Sequence, residues 1–254
     1  MHKNWVSVLQ RKIEASASKD FLAGKNLKTL FPRGYREDFT EQEALEDFLK
    51  IDLLFKHQCL QVSLIDDQKS AKFSIKLYAL DEVVPLWRSI SILESMGLEV
   101  DLEKPYHLKV EQQDVWLNHF TLRRHHKPNN LDQDKMSAYF EEMFQSLWLK
   151  QTELDLFNQL LFTAGLPERN IEVLRAYSAY LNQINFPYSR SLIIESLAAH
   201  PPITRQLINI FLCKFKPDGQ RTNQFKKLCA DYLEGLNEIE SLDQDLIFKQ
   251  LLNL

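Results

Sequence analysis

The side chains best suited to binding chemistry are arginines and tyrosines in two short runs, residues 31–38 and 173–180. They are Arg33, Tyr35, Arg36, Arg175, Tyr177 and Tyr180. A guanidinium can fork onto a carboxylate or a phosphate, and it can stack on an aromatic ring. Each run could therefore hold an anionic ligand. The alternative is a structural role, in which the first run fixes an irregular segment against a sheet and the second clamps neighbouring helices, and we favour it for both runs.

The familiar catalytic patterns are missing from the sequence. Its six glycines are Gly24, Gly34, Gly97, Gly165, Gly219 and Gly235. They stand too far apart to form a dinucleotide loop, whose closely spaced glycines let backbone N–H groups approach the phosphates. The histidines His119, His125 and His126 match no common zinc spacing, and they neighbour cationic side chains. We therefore predict no catalytic residue, no cofactor-binding residue and no metal site in this chain.

Composition narrows the class of protein further. The chain has 254 residues, of which 44% are hydrophobic and 26% charged, as in folded globular domains. Its net charge of -4 does not favour nucleic acid or an anionic membrane as a partner, and its apolar runs are too short to cross a bilayer. The cysteines Cys59, Cys213 and Cys229 are widely separated, which is typical of reduced thiols. These features predict a cytoplasmic protein that binds neither membrane nor nucleic acid.

Hydrophobic periodicity predicts a mixed α/β region over residues 1–124. Helices are expected at 4–16, after Thr40, and at 83–96, with an extended or turn element at 31–35 because Pro32 disfavours helix at the residue before it. The stripe of the third helix would include Val84, Leu86 or Trp87, and Ile90, and Gly97 would end it. Strands are expected at 59–65, 71–78, 98–102 and 114–122, with a turn at 66–69. This order indicates an α+β fold with a ferredoxin-like antiparallel sheet.

The second half of the sequence reads as all-α. Residues 125–133 are polar, contain a proline and predict a linker. Residues 134–254 then show seven helical stripes with short connections, which predicts an antiparallel helical array.

Several ordered landmarks resemble large NAD-specific glutamate dehydrogenases of bacteria. The landmarks are the two arginine and tyrosine runs, Lys76-Leu-Tyr78, Leu93-Glu94, Gly97-Leu98, residues 103–106, residues 153–158 and Ala164-Gly-Leu166. The resemblance covers nearly the full chain and adds Glu94 and Gly97 to the candidate structural or regulatory residues. It implies an ACT-type ferredoxin-like domain, then the helical region before the catalytic domain. Trp87 to Ser89 departs from the family's more usual polar or small pattern.

The resemblance also carries expectations about function. It implies that the parent enzyme oxidises L-glutamate with NAD to 2-oxoglutarate and ammonia, in amino-acid catabolism, and that the catalytic lysines and the NAD loop lie beyond Leu254. This segment would then be non-catalytic and hold no cofactor itself. Its partners would be the rest of the parent chain, further copies in a homo-oligomer, and an amino-acid effector. A free-standing protein-interaction module and an amino-acid-sensing module remain the alternatives.

Overall fold

The structure is a computed structural model, and it describes residues 2–22, 25–67, 72–124, 132–215 and 221–254. The chain divides into two compact units. The first unit comprises residues 1–92, 99–123 and 144–149, and the second comprises residues 93–98, 124–143 and 150–254. Most of the predicted linker, residues 125–131, lies outside the described residues. No helix in the described ranges is long and apolar enough to span a membrane.

The first unit begins with four helices. They are α1 (His2–Glu14), α2 (Leu27–Leu30), α3 (Arg33–Asp38) and α4 (Glu41–His57), with a 3-10 turn at Asp20–Leu22. The predicted start of α4 is confirmed, because the Thr40 side chain accepts from the Glu43 backbone N–H while the Glu43 carboxylate accepts from the Thr40 N–H. This reciprocal capping satisfies backbone groups that would otherwise lack partners at the helix start.

The prediction of an extended or turn element at 31–35 is confirmed for Phe31 and Pro32 and is wrong from Arg33 onward. Phe31 is extended, as the proline rule requires, but Pro32 is the N-cap of α3 and the chain is helical from Arg33 onward. A proline restricts the residue before it and leaves the residues after it free to form a helix. Tyr35 and Arg36 therefore stand on a short helix rather than on an irregular segment.

The sheet of the first unit contains β1 (Gln61–Asp67), β2 (Lys72–Leu80), β3 (Leu98–Val110) and β4 (Gln113–Arg124), in the spatial order β1-β2-β4-β3. Neighbouring β1 and β2 are antiparallel, as are β2 and β4. A helix, α5 (Leu86–Ser95), connects β2 to β3. The order α4-β1-β2-α5-β3-β4 is that of a ferredoxin-like fold whose first strand has moved to the end. The predicted fold class is confirmed.

Three details of this region differ from the sequence prediction. Helix α5 begins at Leu86 rather than at residue 83 because Pro85 precedes it, and Leu86 and Trp87 are exposed rather than part of a buried stripe. Strand β3 is much longer than predicted and runs through Pro105, which is tolerated because β3 is an edge strand. The predicted turn at 66–69 begins within β1, and residues 68–71 lie outside the described residues.

One face of the sheet packs against the N-terminal helices. This core contains Trp5, Leu9 and Ile13 of α1, the rings of Phe31, Tyr35 and Phe39 around α3, Ala44, Phe48, Ile51 and Leu54 of α4, and Tyr78, Tyr106, Leu108, Val110, Val115 and Leu117 of the sheet. The Trp5 indole N–H donates to the Phe39 carbonyl at 3.2 Å, so the first helix is also held by a buried polar contact. Burial of so many large side chains provides most of the stability of this unit.

The second half is helical, as predicted. The helices are α6 (Gln133–Trp148), α7 (Leu160–Ala164), α8 (Glu168–Gln183), α9 (Arg190–Ala199), α10 (Pro201–Lys214), α11 (Arg221–Leu236) and α12 (Leu242–Leu252). Ser189 and Ser241 accept backbone N–H bonds at the starts of α9 and α12. Gly165 ends α7 in the left-handed conformation, which a glycine adopts at little cost.

Gly97 ends α5 with φ 74, as predicted. A Cβ at this position would lie 3.2 Å from the Gln159 Cβ. We expect Gly97→Ala to cost about 1 kcal/mol or more, from the left-handed conformation alone. Gly34→Ala is the matched control, because Gly34 is helical and nothing lies within 4 Å of its added Cβ. Urea unfolding of both variants tests this: equal midpoints for the two would show that Gly97 carries no special constraint.

Candidate functional site

A deeply buried cluster of polar side chains in the first unit surrounds Asp47. Asp47 on α4 and Lys76 on β2 are both 1% exposed. The Lys76 Nζ donates to Asp47 Oδ1 at 2.8 Å and to Oδ2 at 2.7 Å. The Tyr78 hydroxyl donates to Oδ1 at 2.7 Å, and the Tyr35 hydroxyl donates to Oδ2. We call Tyr35, Asp47, Lys76 and Tyr78 the aspartate cluster.

The aspartate cluster is electrically balanced and enclosed. The Lys76 Nζ also lies 3.8 Å from the centroid of the Phe39 ring, whose face attracts a cation. Burial, followed by the charge of Asp47, raises the pKa of Tyr35 and of Tyr78 well above the usual phenol value. Both phenols therefore stay protonated and act as donors. The cluster ties α3 and α4 to β2.

The first arginine and tyrosine run does not converge on one point. Tyr35 joins the aspartate cluster, whereas the Arg33 side chain is 81% exposed and its Nε donates to Glu37 Oε1 at 2.7 Å. Arg36 is half-buried, and its Nε is buried with no hydrogen-bond partner among the described residues. The three side chains thus have separate surroundings.

An exposed counterpart of the aspartate cluster lies at the end of α3. The Asp38 carboxylate accepts from the Lys104 Nζ at 2.5 Å and from the Tyr106 hydroxyl at 2.8 Å. The hydrogen bond from Lys104, and then that from Tyr106, lowers the pKa of Asp38. Lys104 is about half exposed. The first unit therefore contains two groups of aspartate, lysine and tyrosine, one buried around Asp47 and one exposed to solvent around Asp38.

The second unit has a buried arginine at its polar centre. Arg175 on α8 is 5% exposed. Its Nε and Nη2 donate to the two carboxylate oxygens of Asp155, each at 3.0 Å, and Nη2 also donates to Asn158 Oδ1 at 3.0 Å. Its Nη1 donates to the Glu172 carboxylate. We call Asp155, Asn158, Glu172 and Arg175 the arginine cluster.

The arginine cluster binds two parts of the second unit together. Burial opposes the charge of Arg175, but the hydrogen bonds and charges of Asp155 and Glu172 outweigh it and raise the pKa of Arg175. Asp155 also accepts the Phe157 backbone N–H at 3.0 Å, capping a 3-10 turn at Leu156–Gln159. The half-exposed Arg190 binds the same carboxylate. These contacts hold α8 to the segment before α7.

The remaining candidate residues have separate places. Tyr177 is half-buried and meets the Phe211 ring edge-on at 5.9 Å, whereas Tyr180 is 49% exposed. Glu94 is exposed on α5, and its carbonyl accepts the Gly97 N–H at 2.9 Å. In the second run the structure therefore brings only Arg175 into a polar cluster.

Sequence reasoning missed Asp47, Lys76 and Asp155 as partners in these clusters. A signal was present for the first two. Asp47 follows Ala44 by three residues and precedes Ile51 by four, so it stands on the apolar face of α4. Lys76 alternates with Ser74 and Tyr78 on one face of β2, and all three are buried. A charge within a buried pattern predicts an opposite charge nearby.

Within the described residues, few other features could bind a metal ion or a small ligand. No group of three or more His, Cys, Asp or Glu side chains there could hold a metal ion. His119 lies opposite Lys76 in the sheet and packs edge-on to Phe39, while His125 and His126 lie outside the described residues. A pocket of about 160 Å³ in the first unit is lined mostly by apolar side chains, including Leu54, Leu80 and Trp148. It is smaller than a typical site for a drug-sized ligand. A larger pocket of about 510 Å³ lies against α1 and α2, and its lining is mostly polar, including Gln10, Lys25 and Lys28.

The sheet and the helical array correspond to known domain types. Residues 59–136 match the family model described as glutamate dehydrogenase, ACT3 domain. Residues 152–217 match the model described as glutamate dehydrogenase, helical motif 3. The first match begins after α4, so helices α1 to α4 precede it. The class of protein is thus an ACT-type sheet domain followed by a helical motif.

Whole-chain comparison finds relatives of one kind. The chain is 30% identical over 257 residues to the NAD-specific glutamate dehydrogenase of Halomonas elongata, 30% over 232 residues to that of Pseudomonas aeruginosa and 27% over 261 residues to that of Mycobacterium tuberculosis. These alignments cover 99%, 88% and 99% of this chain but only 16%, 14% and 16% of the relatives. The predicted resemblance to the large NAD-specific glutamate dehydrogenases is confirmed.

Proposed function

We propose that this chain is a non-catalytic, N-terminal regulatory or structural segment of an NAD-specific glutamate dehydrogenase. The parent enzyme would oxidise L-glutamate with NAD to 2-oxoglutarate, ammonia and NADH. The observation that carries the proposal is the succession of an ACT3 match and a helical motif 3 match within a chain that aligns over 99% of its length with such an enzyme. The chain spans about one sixth of that relative's length, which supports a segment's role rather than the whole activity.

The polar clusters inside the two units support a structural role for the segment. In each cluster the charged groups bind one another: the Asp47 carboxylate faces Lys76 and two phenols, and the Arg175 guanidinium faces two carboxylates. Groups engaged in this way stiffen a fold and do not offer a free nucleophile or base to a substrate. The segment would contribute rigid units to the enzyme.

The proposal also covers the domains of the segment, its partners and its location in the cell. Residues 1–124 and 134–254 would form two domains joined by the linker 125–133. The partners would be the catalytic part of the same polypeptide and further copies in a homo-oligomer, with an amino acid as a regulatory ligand, in the cytoplasm. Arg33, Tyr35, Arg36, Glu94, Gly97, Arg175, Tyr177 and Tyr180 are proposed as structural or regulatory residues of the segment.

The isolated chain is expected to bind no NAD and to show no glutamate-dependent NAD reduction, because its sequence has no closely spaced glycines to cradle a pyrophosphate. Titration calorimetry with NAD and an absorbance assay for NADH measure the two properties. The protein encoded by the whole reading frame is the positive control and should show both. Saturable micromolar NAD binding by the isolated chain would refute the non-catalytic assignment.

A free-standing interaction or amino-acid-sensing module is the second candidate, and the ACT3 match supports it. The reading frame distinguishes the two, because a glutamate dehydrogenase segment requires a glycine-rich dehydrogenase domain beyond Leu254. Titration of single amino acids into the isolated chain gives a further test of sensing. Heat release with one amino acid, without such a downstream domain, would favour the second candidate.

A further inference from the structure

The C-terminal half of α8 and the loop after it lack charge to an unusual degree, although the exposed Arg169 and the partly exposed Glu172 stand on the first half of the helix. The 14 residues from 176 to 189 include no Asp, Glu, Lys, Arg or His, although 26% of the whole chain is charged. Several of these side chains nevertheless face solvent. They are Ala176, Ala179, Tyr180, Gln183 and Ile184. We call these five residues the α8 face.

Helical geometry makes the α8 face a continuous surface. Ala176, Tyr180 and Gln183 follow one another at spacings of four and three residues, which places them on one side of the helix. The opposite side carries the buried Ile171, Leu174, Arg175, Ser178 and Leu181. The arginine cluster grips α8 from that buried side, so the orientation of the exposed face is fixed.

Aromatic rings extend the α8 face sideways. Tyr177 meets Phe211 of α10 edge-on at 5.9 Å, and Phe211 contacts Phe215 with ring centroids 4.8 Å apart. Tyr180 is 49% exposed and Phe215 is 62% exposed. The result is a surface of tyrosine, phenylalanine and alanine, bordered by Lys214, whose Nζ lies 5.7 Å from the centroid of the Phe215 ring.

An ordinary solvent-facing helix of the same unit looks different. The exposed residues of α11 include Lys226, Lys227, Asp231 and Glu234 around Ala230. Depletion of charge together with enrichment in aromatic residues distinguishes the centre of protein interfaces from the rest of a surface. The small side chains of Ala176 and Ala179 would let the backbone of a second helix approach closely. The α8 face therefore has the composition of a helix-packing interface.

We propose that the α8 face is covered by an uncharged helix from the remainder of the same polypeptide. This inference rests on the proposed function, in which the segment belongs to a longer enzyme. The exposed fractions of Tyr180 and Phe215 correspond to roughly 100 Å² each, and the whole surface to on the order of 500 Å². A stable complex of free proteins buries about 800 Å² on each partner. The surface is therefore too small for a lasting dimer of free copies.

A tethered helix needs less area. Covalent connection gives it an effective concentration in the millimolar range, so a modest apolar contact suffices to keep it bound. The relatives supply chain from which such a helix could come, because this chain spans only 14–16% of their length.

Thiol accessibility tests the proposal. Tyr180→Cys is made in the 254-residue chain and in the protein encoded by the whole reading frame, and iodoacetamide labelling of position 180 is followed by peptide mapping. Ala230→Cys on α11 is the matched control. We expect labelling at position 180 to be at least about tenfold slower in the longer protein, and labelling at position 230 to be the same in both.

A charge variant gives an independent readout. Ala176→Glu should lower the unfolding midpoint of the 254-residue chain by about two degrees at most, because glutamate is a good helix former at an exposed position and its repulsion from Glu172, four residues earlier, is weak. In the longer protein it should lower the midpoint by several degrees, whereas Ala230→Glu should lower it in neither.

Two results would overturn the inference. Equal labelling rates at position 180 in the two proteins would mean that the α8 face stays open. Protection that appears in the 254-residue chain as its concentration rises would assign the face to a second copy. If the longer protein protects position 180 but does not reduce NAD with glutamate, the proposed function fails while the intramolecular contact is supported.

Discussion

Replacing Lys76 by methionine is expected to lower the free energy of unfolding of the first unit by about 3–5 kcal/mol, because it leaves the Asp47 carboxylate buried without a cation. Methionine keeps most of the volume of the lysine stem, so the loss is chiefly electrostatic. The two phenols would still donate to Asp47 but cannot neutralise it. The tryptophans, Trp5, Trp87, Trp116 and Trp148, all belong to the first unit, so urea unfolding followed by tryptophan fluorescence measures this change.

Lys104→Met is the matched control for Lys76→Met. Lys104 also pairs with an aspartate that accepts from a tyrosine, but its side chain is 51% exposed. Solvent screens this pair, so its loss should cost less than about 1 kcal/mol. Equal losses of unfolding free energy in the two variants would show that burial does not increase the contribution of the Lys76–Asp47 pair to stability.

Replacing Arg175 by methionine is expected to cost the second unit about 3 kcal/mol. The change removes the paired donors from the Asp155 carboxylate, which is 18% exposed, and leaves it with the half-exposed Arg190 as its cation. The Glu172 carboxylate also loses its contact with Arg175. Arg175→Lys should recover only part of the loss, because an ammonium cannot reproduce the forked contact with two carboxylate oxygens. Far-UV circular dichroism during urea unfolding follows the helices of this unit.

Arg190→Met is the control for Arg175→Met. Arg190 binds the same Asp155 carboxylate, and its guanidinium lies 5.4 Å from the Phe157 ring, compared with 5.7 Å for Arg175. It is half exposed, so we expect a cost below about 1 kcal/mol. The double variant Arg175→Met with Asp155→Asn should be more stable than Arg175→Met alone. If it is not, uncompensated charge is the wrong explanation.

The sequence predicted the ends of helices correctly where one residue type determines the local backbone conformation. The cap at Thr40 and the left-handed glycines Gly97 and Gly165 lie where sequence placed them. Such positions depend on bonds between residues close in sequence, which a reader of the sequence can enumerate. The helix at residues 33–38 was missed because it is short, and its stability comes from packing of Tyr35 against Phe31, Phe39 and Tyr106 rather than from its own propensity.

The polar clusters could not be assembled from sequence alone. Asp47 and Lys76 are 29 residues apart, and their meeting depends on how α4 crosses the sheet. Arg175 was identified, yet Asp155 was not, because 20 residues and a 3-10 turn separate them. The sequence shows that each of these side chains is charged, but which opposite charge it meets is determined by tertiary packing.

The strand order has a consequence for the timing of folding on the ribosome. The sheet is completed only when β2 pairs with β4, and β4 ends at Arg124. The helices α1 to α4 emerge first, but their apolar residues pack against strands that include Val115 and Leu117. Synthesis proceeds at about 5–20 residues per second, so these helices expose their apolar faces for several seconds before the sheet can cover them. Nascent chains of this protein should therefore depend on chaperone shielding until β4 has been synthesised.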